Sequence, residues 1–68
     1  MTLPEAITYA LVRCNGGLRT EQIAALINRY QWHVRKDGQP VTSAQVYATV
    51  MRYQAQFCKA EGRIMLMI

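Results

Sequence analysis

Apolar positions along the chain recur at helical intervals three times and then alternate. In "TLPEAITYALVRC" the stripe is Leu3, Ile7, Ala10, Leu11 and Cys14, the three-to-four spacing of a helix buried on one face. Thr2 is placed to cap it, Pro4 falls in the first turn where a missing N–H costs nothing, and Glu5 completes a capping box. "NGG", Asn15 to Gly17, should end this helix by supplying positive-φ residues at the C-cap. A second helix is expected from Thr20, whose hydroxyl can accept from the N–H groups of "EQI", with Ile23, Leu26, Ile27 and Tyr30 facing inward. In "QWHVRKDGQPV", Trp32 and Val34 alternate with His33 and Arg35 as a short strand would, before Asp37-Gly38 turns the chain.

The third helix has Ser43 or Thr42 as its cap and Pro40 setting an extended approach, with Val46, Val50 and Tyr53 inward. At 100° per residue, Ala44, Ala48, Met51 and Arg52 fall on the far side, flanked by Gln45 and Tyr47. That face lacks the Glu/Lys mixture of a solvated helix. "FCKAEGRIMLMI" then predicts two strands around the turn Ala60-Glu61-Gly62-Arg63, with Phe57, Ile64 and Leu66 as the inward set, although the run from Ile64 to Ile68 is too uniformly apolar for alternation to decide its faces. The order is helix, helix, short strand, helix, β-hairpin. It predicts a mainly α chain with a small β-sheet (α+β), a winged helix in which a three-helix core carries a C-terminal hairpin wing.

Length makes this one domain, residues 1–68, small enough that folding buries only ~60% of the surface of the unfolded chain. Apolar residues make up 51% and charged residues 18%, a globular rather than a disordered composition. Eight Lys and Arg against four Asp and Glu give a net charge of +4, which favours anionic partners, nucleic acid first and an acidic protein surface second. No segment is apolar for long enough to span a bilayer, and "MTLPEAITYA" lacks the basic region and small-residue cleavage site of a secretion signal, so a cytoplasmic location is expected. Cys14 and Cys58 have no second pair for a metal knuckle. One disulfide between them stays open, but two reduced, partly buried thiols are the expectation in the cytoplasm.

With that element order in place, the chain resembles the HARE-HTH family of winged-helix modules. The matching pieces are "EAITYALVRCNGGLRTEQIAALI" for the first two helices, "RKDGQPVTSAQVYATV" for the basic turn and third helix, and "FCKAEGRIMLM" for the wing. The basic-Asp-Gly-x-Pro-Val turn, Gln45, Ala48, Val50, Tyr53 and the aromatic Phe57 carry the likeness. The chain departs from the pattern at Gln54–Gln56, where relatives often have a Pro-containing turn, and at Thr49, where many have a basic residue. The resemblance implies a DNA-binding or DNA-tethering role, in a transcription or restriction setting, often inside a larger protein.

The residues on their own support the same class. In a winged helix the loop before the third helix, that helix's N-terminus and the wing approach one DNA backbone, so Arg35, Lys36, Lys59 and Arg63 are candidate phosphate contacts, with the N–H groups after Ser43 as an anion site. Gln45 and Arg52 suit adenine and guanine edges, Ala44 and Ala48 let another surface come close, and Ala48 could meet a thymine methyl. Tyr47 and Met51 complete the face and are equally the makings of a protein-binding hot spot. A polymerase, a nuclease or a second copy of the chain is therefore the alternative partner.

Trp32, Tyr30, Tyr53 and Phe57 are expected in the core, and His33 is expected beside Trp32 rather than as a metal ligand. One His, two separated Cys and four scattered acids form no recognisable catalytic set. No enzyme activity, cofactor, metal or small-molecule substrate is expected.

Overall fold

The computed structural model describes residues 1–14 and 16–67. Helices α1 (Leu3–Cys14), α2 (Thr20–Tyr30) and α3 (Ser43–Arg52) are followed by strands β1 (Phe57–Ala60) and β2 (Arg63–Leu66). This is the expected α+β layout with a C-terminal hairpin, a winged-helix-like arrangement.

The α1 capping box forms as its residues require. The Thr2 N–H donates to Glu5 Oε1 at 2.8 Å, and the Glu5 N–H donates to Thr2 Oγ1 at 3.4 Å. Ala6, Ile7, Ala10 and Leu11 are buried, and they meet Ile23, Ala24 and Ile27 of α2, Val46 and Val50 of α3, and Phe57 and Ile64 of the hairpin in one core. Cys14 is exposed instead of closing the α1 stripe, because it lies on the last turn beyond the packed region; Cys58 is half-buried, and both thiols are free.

Several local expectations are corrected. Asn15 lies outside the described residues, and Gly17 does not have positive φ. Gly17 is required for close approach: a Cβ there would stand 3.0 Å from both Arg63 Cβ and Met65 Cγ. That approach lets Leu18 pair with Ile64 through two backbone bonds of 3.1 and 2.7 Å, an isolated antiparallel bridge that ties the segment between α1 and α2 to the two-stranded sheet. Arg19, not Thr20, is the N-cap of α2; its N–H donates to Gln22 Oε1 at 3.0 Å, while Thr20 is already helical.

The strand expected at Trp32–Arg35 does not form. Helix α2 ends in a left-handed cap at Gln31, φ 54°, and the Trp32 N–H donates back to Ile27 O at 3.1 Å, which curls the chain where an extended run was expected. Val34 is consequently 65% exposed. Tyr30 and Tyr53, expected in the core, are exposed. Each sits at the end of its helix, where the polypeptide turns away from the packed centre. Trp32 is half-buried and packs against the core, and Phe57 is buried.

The hairpin follows its turn chemistry. Glu61 and Gly62 both have positive φ (54° and 78°), as a type I′ two-residue turn demands, and the register runs from Ala60↔Arg63 to Phe57↔Leu66. Ile64 is buried and Leu66 half-buried, in line with the alternation along β2.

Candidate nucleic-acid interface

The approach to α3 is fixed by side chains that bond to backbone. Asn28 on α2 receives the Val41 N–H on Oδ1 at 2.8 Å and donates Nδ2 to the Val41 carbonyl at 2.9 Å. One residue later Thr42 caps α3: its Oγ1 accepts from the Gln45 N–H, and Gln45 Oε1 accepts from the Thr42 N–H, both at 3.2 Å. Of the two expected caps, Ser43 and Thr42, it is thus Thr42 that serves, and Ser43 is half-buried in the first turn.

Arg35 belongs to the same clasp. Its guanidinium pairs with Asp37 at 2.6 Å and donates to Gln45 Oε1 at 3.2 Å and the Pro40 carbonyl at 3.4 Å. Asp37 Oδ1 in turn accepts from the Gln39 N–H, and Gly38 takes φ 76° to close the turn onto Arg35 O. Arg35 and Gln45, both candidates for DNA contact, are therefore engaged with each other and with the loop. The pair with Asp37 is largely solvated and contributes at most ~1 kcal/mol, so its effect is mainly on geometry. Lys36 is exposed beside it.

The outer face of α3 presents Ala44, Tyr47, Ala48, Met51 and Arg52, and no acid occurs in the helix. Lys36 and Arg52 make no hydrogen bond or ion pair among the described residues. Lys59 on β1 holds its ammonium 5.0 Å from the Tyr47 ring centre, a cation–π contact that ties the wing to α3. Around this contact a groove of about 290 Å³ is lined by Arg19, Thr20, Tyr47, Lys59 and Gly62 together with two acids, Glu21 and Glu61. Arg63 lies elsewhere on the sheet, donating to the Gly17 carbonyl at 3.1 Å.

Thus Tyr47 and Lys59 come together, Arg35 and Gln45 come together, and Arg63 is drawn toward the loop before α2. Arg19 is a cation that pattern reading passed over. Its sequence signal is its place directly before a helix whose cap was expected at Thr20. Met51 and Lys59 also border a second hollow of about 370 Å³ with Phe57, Cys58 and Met67.

Among the described residues no group of three His, Cys, Asp or Glu could hold a metal ion. The His33 ring bonds through Nδ1 to the Met1 carbonyl at 2.9 Å, which occupies it locally. No helix is long and apolar enough to cross a membrane. Comparison with known protein families, with curated proteins and with solved structures finds no match.

Proposed function

We propose that the chain is a non-catalytic DNA-binding module that lays the outer face of α3 in the major groove of duplex DNA, with the basic loop and the wing on the phosphates. The observation that carries this reading is the acid-free outer face of α3, set between Lys36 at its entry and Lys59 held over Tyr47 on the wing. On this reading Lys36, Arg52 and Lys59 are the phosphate contacts. Arg35 and Gln45 are positioning residues that aim the helix. Ala44 and Ala48 allow close approach, and Tyr47 and Met51 meet base edges or sugars. The placement is cytoplasmic, and the resemblance to HARE-HTH modules, which rests on its motifs, points the same way.

The test is fluorescence anisotropy with random-sequence labelled duplex at low and physiological salt. Micromolar binding that weakens steeply with salt is expected. The double substitution Lys36→Ala and Arg52→Ala should weaken binding equally on unrelated duplexes. It should also reduce the slope of log affinity against log salt by about 2, since each phosphate that a cation neutralises adds about 0.9 to that slope. An unchanged slope refutes these contacts.

A second reading has its own observation. Tyr47 and Met51 are 41% and 43% exposed on α3, and Met51 borders the hollow shared with Met67, itself 54% exposed. Such a surface suits a protein partner, a larger parent protein or a second copy of the chain. Binding to that partner would survive added salt and be lost on Tyr47→Ala, whereas duplex binding would be absent even at low salt.

A further inference from the structure

Three aromatic rings and two guanidinium groups meet at the C-terminal end of α2. Tyr9 of α1 meets Trp32 edge-to-face, with ring centres 4.8 Å apart, and Tyr30 lies nearly parallel to Trp32 at 5.2 Å and 19°. Arg13 stands 5.9 Å from the Tyr9 ring centre and 6.0 Å from that of Trp32, and Arg29 stands 5.3 Å from that of Tyr30. Here two arginines, Arg13 and Arg29, stand over three rings that already pack on one another, so cations and aromatic faces are gathered in one patch.

The patch is open to solvent: Tyr9 is 40% and Tyr30 48% exposed. It is also separate from the α3 surface. Tyr30 closes α2, while Arg19 and Thr20, which border the Tyr47–Lys59 groove, open it. Eleven residues of helix at 1.5 Å each put about 16 Å between them. The nearest acid along α1 is Glu5, one turn before Tyr9, and its carboxylate is taken up by the Thr2 N–H and hydroxyl.

The chemistry narrows the occupant. A cationic ligand, the usual guest of an aromatic cage, would meet two guanidinium groups already over the rings. An aliphatic segment would leave both arginines unused. A planar π-system joined to an anion satisfies the rings and the guanidinium groups together.

We propose that Tyr9, Tyr30, Trp32, Arg13 and Arg29 form a platform for single-stranded nucleic acid, stacking an unpaired base on the exposed Tyr30 ring and holding its phosphodiester with the arginines. The base continues the Trp32–Tyr30 stack outward and takes the place of Arg29 over the ring, and the released guanidinium pairs with the adjacent phosphate. This site is independent of the duplex-binding reading of α3.

Trp32 is the sole tryptophan and sits inside the platform, so its fluorescence reports directly on occupancy. A mixed-sequence single-stranded oligonucleotide of about 12 nucleotides, within the usual site sizes, is titrated into the full chain at low salt. Saturable quenching is expected, weakened about five-fold or more by Tyr30→Ala and unaffected by the Lys36→Ala, Arg52→Ala pair. An abasic strand of the same length and a poly-glutamate peptide should each bind at least about five-fold more weakly, since neither can stack.

Absence of quenching overturns the platform. So does equal binding of the abasic strand, or a better response to the acidic peptide, which would assign the patch to a protein. Should Tyr30→Ala lose its circular dichroism signature, Tyr30→Leu and Arg29→Ala carry the same comparison. A duplex titration run in parallel, sensitive to Lys36 and Arg52, separates failure of this site from failure of the α3 reading.

Discussion

Asn28 holds the segment before α3 with two hydrogen bonds to one residue, and its replacement has a calculable cost. Asn28→Ala leaves the N–H and the carbonyl of Val41, a buried residue, without their side-chain partners. At about 1 kcal/mol for each bond, the loss is about 2 kcal/mol. In a domain of this size each kcal/mol moves the melting temperature by about 4–8 °C, so thermal denaturation followed by far-ultraviolet circular dichroism should show a drop of about 8–16 °C. Asn28→Asp adds a signature that packing alone cannot imitate. Its carboxylate still accepts from the Val41 N–H, but the oxygen that replaces Nδ2 faces the Val41 carbonyl and repels it.

Only the protonated acid restores a donor at that position, so in the Asn28→Asp variant the folded pKa of the new carboxyl lies above the unfolded value of about 3.9. A raised acid pKa stabilises the fold fully below the unfolded pKa, and the benefit is lost as pH rises through the folded value. Relative to the parent chain, Asn28→Asp should therefore recover stability as pH falls toward about 4, while Asn28→Ala should not. A melting temperature for Asn28→Ala within about 3 °C of the parent, or parallel pH curves for the two variants, would refute the assignment of a two-bond clasp.

Other expectations follow from the turns and caps. Glu61 has φ 54°, a conformation that costs an L-residue about 1 kcal/mol, so Glu61→Asn should raise the melting temperature by several degrees; no rise would mean that the turn already relaxes this strain. The hydrogen bonds from the Thr2 N–H and hydroxyl lower the Glu5 pKa in the folded state. That stabilisation is present above the unfolded carboxyl pKa and is lost as pH falls through the folded one, so Glu5→Gln should flatten the acid limb of the stability curve. Gly17→Ala should destabilise the chain, because its new methyl meets Arg63 and Met65 side chains near their roots; an unchanged denaturant midpoint would disprove that crowding.

The helices were legible because their apolar spacing and caps are local. Thr2–Glu5 read directly as a capping box and Glu61-Gly62 between two apolar runs as a hairpin turn, whereas for α3 the pattern offered Ser43 or Thr42 as cap and did not show the reciprocal bond from Gln45. What escaped depended on distant or atypical partners. The Leu18–Ile64 bridge joins residues far apart in sequence, and Leu18 alone carries no strand pattern. Gln31 occupies a left-handed position that glycine usually marks, so the bend that abolishes the expected Trp32–Arg35 strand had no signal. At the candidate site the residue types were readable from their pattern, but their engagement was not. Arg35 reads as a free cation until Asp37 and Gln45 are seen to hold it, and the grouping of Tyr9, Tyr30 and Trp32 needs the fold.

The bridge between Leu18 and Ile64 also dictates an order of assembly. Its neighbouring contact from Arg63 to Gly17 spans 46 positions of sequence, and closing a loop of that length costs about 3.4 kcal/mol by the logarithmic chain-entropy relation. The hairpin turn and the helices need no such closure and can form locally within microseconds. Conservative truncations at Leu18 should thus accelerate unfolding while leaving the folding rate nearly unchanged, whereas truncations at Val46 should slow folding. The groove beside Tyr47 and Lys59 is lined by residues of α2, α3 and the hairpin, so a ligand seated there would bind the assembled chain and slow its opening.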